Sequence, residues 1–288
     1  MAKQRKEGRA APEAGGRKIQ VDLTGEVVVI TGGAGVLCGT MARALAERGA
    51  AVAVLDIDEN ASEKCAAGIR DAGGTAVAVK ASVLDRADLE RALKVIEEKL
   101  GAPTALINGA GGNKGDATTG PGKEFFDLPA DAVRWVFDLN FIGTFLPSQV
   151  FGKAMCANGR GNIINISSMN ALRPLTKIPA YSAAKAAVSN FTQWLAVHMS
   201  QNYGNKVRVN AIAPGFFVTQ QNRFLLIDEK TGELTPRGRT ILDHTPAGRF
   251  GEPDELIGAL LWLLSDSSKF VHGIVVPVDG GFSAFSGV

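Results

Sequence analysis

Short apolar runs alternate with longer helix-like stretches along nearly the whole chain. The runs Val27–Ile30, Ala51–Leu55, Thr75–Val79, Ala105–Asn108, Asn162–Ile166, Val207–Ala211 and Ile274–Val278 are rich in Val, Ile and Ala and lack polar alternation. Strands covered on both faces have this composition, because neither face meets water. Helix-like segments lie between them near Gly39–Arg48, Ala61–Ala72, Arg86–Leu100, Ala130–Ala157, Ala180–Tyr203 and Pro253–Leu264. Strand–helix alternation of this kind makes a parallel sheet with right-handed crossovers. The pattern therefore predicts an α/β fold: one doubly wound parallel sheet of about seven strands, helices on both faces, as a single domain over residues 21–288.

Composition narrows the function classes. The 288 residues are 45% hydrophobic and 21% charged, and the formal charge is +2. That balance suits a soluble domain with a sizeable core and gives no footprint for nucleic acid or an anionic membrane. Lys3, Arg5, Lys6, Arg9, Arg17 and Lys18 concentrate basic charge in residues 1–20. This segment lacks the apolar stretch of a signal peptide and is expected to be a flexible tail. No apolar run reaches membrane-spanning length. Cys38, Cys65 and Cys156 are far apart, as are His198, His244 and His272, so no metal-ligand spacing is present. Reduced thiols fit a cytoplasmic protein.

Two connections exceed what crossovers require: Gly109 to Asp127, and Phe216 to about Pro253 with its polar stretch from Asp228 to Glu233. Both leave carboxyl ends of strands, where ligands bind in open α/β sheets, and both are expected to cover a substrate.

The first strand runs into Thr31-Gly32-Gly33-Ala34-Gly35-Val36-Leu37-Cys38-Gly39 and then a helix. Glycines here let the backbone approach a pyrophosphate, whose charge the helix N-terminus stabilises. The second strand ends at Asp56, whose carboxylate suits the hydroxyls of an adenosine ribose and repels a 2′-phosphate. Ile57 and Asp58 follow it, with no arginine, so NAD is favoured over NADP. A Rossmann-type dinucleotide site is the reading.

The third constellation is chemical. Tyr181 and Lys185 lie four apart, and Ser168 stands 13 positions before the tyrosine. On a helix that spacing puts phenol and ammonium on one face. A free tyrosine keeps its proton to about pH 10, and a fixed cation nearby draws that value toward neutrality. Ser168 would hold a substrate oxygen against the phenol, giving a site for moving a proton on or off an alcohol or carbonyl oxygen.

Together with Asn108-Gly109-Ala110-Gly111, Asn140 in Leu139-Asn140-Phe141-Ile142-Gly143, and Pro214-Gly215, these residues resemble the short-chain dehydrogenase/reductase family over residues 22–288. The resemblance implies that Tyr181 is the general acid/base, that Lys185 lowers its pKa and bonds the nicotinamide ribose, that Ser168 positions the reacting oxygen and that Asn140 supports a proton-relay water. It also implies NAD contacts at Gly32, Gly35, Val36, Leu37, Asp56, Ile57, Ser82, Val83, Asn108, Gly109, Ala110, Tyr181, Lys185, Pro214, Gly215, Phe217 and Thr219. Three departures stand out: Val36 and Cys38 occupy positions usually held by glycine, Ser82 stands where an Asp is common, and Gly109 replaces a usual second Asn.

A narrower resemblance, to the D-mannonate oxidoreductase (fructuronate reductase) branch, rests on Ser168–Pro179, on Asn108–Asn113 and on the ending Val278–Val288. It implies a keto sugar acid as substrate, whose carboxylate and hydroxyls need a cation and many hydrogen-bond partners. Arg173 leads as carboxylate partner, followed by Lys177 and Arg223; Asn113 and Asn170 are further candidates beside Ser168. Arg249 resembles a structural element of the wider family. Another keto-sugar, keto-gluconate or polyol is the alternative substrate, and a catalytically silent dinucleotide sensor is the more distant alternative. The family also implies a homodimer or homotetramer, paired through the helices holding Asn140 and Tyr181. Phe191, Trp194, Leu195 and Val197 suit that interface or a core equally.

Overall fold

A computed structural model describes residues 21–219, 223–228 and 231–287. The tail expected at 1–20 lies outside these residues, as do Glu229 and Lys230 of the polar stretch. Seven strands, β1 (Val27–Thr31), β2 (Ala51–Asp56), β3 (Thr75–Lys80), β4 (Ala105–Asn108), β5 (Gly161–Ile166), β6 (Val207–Pro214) and β7 (Val275–Val278), form one sheet in the order β3-β2-β1-β4-β5-β6-β7. Every pairing is parallel. Alternate residues of each strand enter different cores: Val28 and Ile30 face one helical layer, and Val27 and Val29 face the other.

The first layer holds α1 (Val36–Ala46), α2 (Glu59–Asp71) and, further along the chain, α9 (Ile257–Leu264); the second holds α3 (Arg86–Lys99), α5 (Gly143–Asn158) and α6 (Pro179–Tyr203). Asp58 caps α2 by accepting from Ala61 N at 3.0 Å, and Asp85 caps α3 through Ala87 N at 2.8 Å and Asp88 N at 3.1 Å. Pro179 opens α6, where its missing N–H costs nothing. On α6, Phe191 and Leu195 are buried in the core, whereas Trp194 and Val197 point outward, 55% and 56% exposed.

Three elements differ from the sequence pattern. The stretch expected as one helix over Ala130–Ala157 is α4 (Ala130–Phe137), a π turn over Asp138–Ile142, and then α5. A π turn adds one residue to a single helical turn, too local a change for a pattern read over several turns to place. Helix α1 begins at Val36 rather than Gly39, with Gly35 as its N-cap. The long connection after β6 carries two helices of its own, α7 (Arg223–Leu226) and α8 (Pro236–Asp243). No helix among the described residues is long and apolar enough to cross a membrane.

Candidate active site

The strand order reverses direction between β1 and β4, and a crevice opens at such a switch at the carboxyl ends. Register sets Thr31 beside Asn108 and Asn108 beside Asn165 along that edge. Thr31 Oγ1 accepts from Gly109 N at 3.1 Å and Ala110 N at 3.3 Å, tying the two strand ends together. Gly32 has φ +62°, and a Cβ on it would fall 2.8 Å from Ala110 Cα. Only glycine allows both the left-handed backbone and that approach.

The chain after β1 forms a cradle for a phosphate. Gly35 opens α1, Val36 is 38% exposed at the mouth, and the α1 N-terminus supplies the positive end of its dipole. Asp56 ends β2 with one oxygen accepting from Ala34 N and the other from Asp58 N, both at 3.1 Å. Each oxygen keeps a lone pair for a ribose hydroxyl. Ile57 beside it is 72% exposed, an apolar surface for an adenine. These residues fit a dinucleotide.

Cys38 explains one departure from the expected turn. Its thiol fills the space beside Gly109: a Cβ there would lie 2.2 Å from Cys38 Sγ. The Cys38 side chain and the bare Gly109 are complementary in volume, which the sequence alone gave no means of pairing. Burial pushes the Cys38 thiol up to about 12, so it is a space-filling group rather than a nucleophile.

Asn140, Ser168, Tyr181 and Lys185 converge on the crevice. Asn140, fully buried in the π turn, donates from Nδ2 to Gly112 O and Val136 O, both at 2.7 Å, while its Oδ1 accepts from Gly112 N at 3.2 Å. A Cβ on Gly111 would sit 2.7 Å from Asn140 Oδ1 and 3.1 Å from Lys185 Nζ, so both groups border that glycine. Lys185 Nζ donates to Ile166 O at 2.8 Å and lies 5.7 Å from the centre of the Tyr181 ring. Ser167, which the sequence reading did not single out, donates to Lys185 O at 3.2 Å and sits 2.7 Å from Ser189 Oγ, fixing α6 against the end of β5.

The electrostatics depart from the expectation that Lys185 draws the phenol toward neutrality. Burial pushes the Tyr181 phenol above its ordinary value, and the Ser168 hydroxyl opposes this only in part. Burial also lowers the Lys185 ammonium to about 8, with Cys38 opposing. Desolvation outweighs pairing here because the ammonium is directed at a carbonyl, not at the phenolic oxygen. At neutral pH the phenol is a proton donor.

The remaining expected positions are spread out. Ser82 N–H donates to Asp88 Oδ2 at 3.2 Å, and its Oγ accepts from Leu84 N at 3.2 Å. Val83 is buried, close enough to α5 that a Cβ on Gly143 would lie 2.9 Å from its Cγ2. Gly215 lets β6 approach β7, with its N–H donating to Val278 O at 2.9 Å, immediately after Pro214. Phe217 is buried against Gly251, and Thr219 follows it.

Among the substrate candidates, Arg173 is exposed and its Nε donates to Ser283 O at 3.2 Å, linking the Ser168–Tyr181 segment to the C-terminal stretch. Asn113 donates to Thr118 Oγ1 at 2.9 Å. Arg223 begins α7 and is exposed. Asn170 and Lys177 line a separate cavity of about 580 Å³ together with Phe125, Ser182, Ala183 and Ala186. Neither Tyr181 nor Lys185 lines that cavity, which takes Ser182, Ala183 and Ala186 from α6. Lys177 is the one non-glycine residue at positive φ (75°) among those described. Arg249 forms a two-pronged ion pair with Glu255 at 2.6 and 2.7 Å and serves the turn before α9.

Comparison with known proteins gives a consistent picture. A family model described as short chain dehydrogenase matches residues 26–230. An uncharacterized oxidoreductase of Bacillus subtilis is 52% identical over 276 residues, covering 93% of this chain and 98% of that protein. A crystal structure from Haemophilus influenzae with bound NAD, provisionally designated a D-mannonate oxidoreductase, superposes with TM-score 0.87 at 49% identity, covering 93% of this chain and 98% of the other. A gluconate 5-dehydrogenase from Burkholderia cenocepacia, in complex with NADP and tartrate, superposes with TM-score 0.81 at 32% identity, covering 92% and 97%.

Proposed function

Because the chain belongs to the short chain dehydrogenase family and is an oxidoreductase of that family, we propose that it interconverts a keto sugar acid and its alcohol, D-fructuronate and D-mannonate, with NAD. The observation that carries the reading is the convergence of Ser168, Tyr181 and Lys185 with Asn140 on the crevice beside the Asp56 turn. Bound NADH supplies the hydride. Tyr181, protonated at neutral pH, donates its proton to the substrate oxygen as the keto carbon is reduced, and Ser168 holds that oxygen in place. Lys185 contributes positive charge as the phenolate forms. In oxidation the same groups act in reverse, with Tyr181 as base.

Asp56 supports NAD over NADP, since no arginine or lysine follows it within two positions to meet a 2′-phosphate. The sugar-acid class is supported by Arg173, whose guanidinium is held by Ser283 O with its other N–H groups free for a carboxylate. The Haemophilus and Burkholderia neighbours act on sugar acids by their designations. A dimer or tetramer is proposed through the outward face of α6. Steady-state rates of fructuronate and 5-keto-gluconate reduction, each with NADH and NADPH, test the reading. Fructuronate with NADH is expected to give the highest kcat/KM; preference for 5-keto-gluconate or NADPH would move the substrate or cofactor assignment and leave the reaction class intact.

A further inference from the structure

The reaction as described uses the side chain of Asn140 and leaves its main-chain carbonyl unassigned. That carbonyl accepts from Thr144 Oγ1 at 2.8 Å. The carbonyl of Thr144 accepts in turn from Ser148 Oγ at 2.7 Å. Ser148 Oγ accepts from Asn108 Nδ2 at 2.9 Å, and Asn108 Nδ2 also donates to Asn165 Oδ1 at 2.9 Å. Asn165 Nδ2 donates to Thr192 Oγ1 at 2.9 Å, and Thr192 closes the path on Val188 O at 2.8 Å. A hydrogen-bonded chain thus runs from the π turn, through α5, across β4 and β5, to α6, the helix that carries Tyr181 and Lys185.

Every member is buried: Thr144, Ser148, Asn108, Asn165 and Thr192 are at most 2% exposed. The core of this layer is otherwise apolar, with Val150, Phe151, Ile163 and Leu195 among its members, so apolar side chains would suit these positions by burial alone. A buried hydroxyl or amide is costly unless its partners are in place, and each link of this path is made, with only Asn108 Oδ1 left unpartnered; made links fix geometry that apolar packing leaves loose. The π turn is where such fixing matters. It takes Asn140 out of the α-helical ladder, and Pro147 removes a further N–H from the first turns of α5. Hydroxyls bonding back to carbonyls four residues earlier hold the backbone that the ladder does not.

We propose that Thr144 and Ser148 are positioning residues for the reaction: braced by Asn108 and Asn165 on the sheet, they hold the Asn140 turn where its amide clamps Gly112 and borders Lys185. The chain is not a proton wire, since the Asn108 and Asn165 amides that link it hold their protons. The inference rests on the reading of Tyr181 and Lys185 as the proton-transfer site.

The test uses the full chain with NADH and fructuronate, or whichever carbonyl the wild type reduces best. Thr144→Val keeps the shape and deletes the hydroxyl; it is expected to lower kcat about tenfold while the Kd for NADH stays within about twofold. Thr144→Ser, which keeps the hydroxyl, is expected to stay within about threefold of wild type. The alkaline limb of the kcat profile, near pH 8 from Lys185, should move in the Val variant and not in the Ser variant. Should Thr144→Val not fold, Ser148→Ala carries the test, with about a tenfold loss of kcat at an NADH Kd within about twofold in support. Wild-type kcat in the folded hydroxyl-deleting variant, alongside an inactive Tyr181→Phe, would overturn the positioning role alone. Full activity of Tyr181→Phe would overturn the underlying reading.

Discussion

At the scale of single residues, burial decides the chemistry. Tyr181 is held protonated, so it is ready to donate to a ketone and must lose its proton before it can accept one from an alcohol. The expected pH dependence follows. The kcat/KM for alcohol oxidation rises with pH as the phenolate forms. The rate of ketone reduction falls as pH rises through about 8, where Lys185 discharges and no longer stabilises the forming phenolate. Steady-state profiles in both directions between pH 6 and about 10.5 check the signs. Asp56→Ala removes the ribose acceptor and the repulsion of a 2′-phosphate, and should cut the ratio of NADH to NADPH efficiency about tenfold or more. Gly109→Ala drives a methyl group to within 2.2 Å of Cys38 Sγ and 2.9 Å of Thr31 O. It should destabilise the fold by about 1–3 kcal/mol, with Cys38→Ala restoring only part because the Thr31 carbonyl stays in place. Thermal melts of the single and double variants measure this.

At the scale of elements, the strands were legible in sequence because a strand covered on both faces has no option but continuous Val, Ile and Ala. The helical segments were legible from the longer apolar period between them. The junction at Asp138–Ile142 was not, since an insertion confined to one turn is too local for a pattern read over several turns to place. The start of α1 at Val36 was hidden by a glycine run that masks where the turn ends. The volume match of Cys38 and Gly109, and the path from Thr144 to Thr192, join residues far apart in the chain, and no local pattern signals either. The sequence also left Phe191, Trp194, Leu195 and Val197 undivided between core and interface; packing divides them two and two. Trp194 and Val197, outward on α6, are the proposed interface. Trp194→Glu is expected to shift the protein to a smaller species in sedimentation velocity, and an unchanged sedimentation coefficient would remove that face from the assembly.

At the scale of the whole molecule, one topological fact brings the site together. The reversal of strand order between β1 and β4 sets the glycine turn, Asp56, Asn108 and the Asn140 turn around one crevice, and α6 delivers Tyr181 and Lys185 to its edge. Ser168, Tyr181 and Lys185 were readable because each sits at a strand end or on a helix face, where spacing carries geometry; Asn140, inside the π turn, came only from the family resemblance. The substrate side was not, because Asn113, Arg173, Lys177 and Arg223 lie in connections whose course only packing settles. The same chain therefore fixes Tyr181 and Lys185 on one helix, while the substrate candidates are spread over separate connections. The most direct measurement is fructuronate reduction with NADH by the wild type and by Tyr181→Phe. The account predicts turnover by the wild type, loss of at least about a thousandfold in kcat for the variant, and an NADH Kd within about twofold. A Tyr181→Phe protein that reduces fructuronate at the wild-type rate would contradict it.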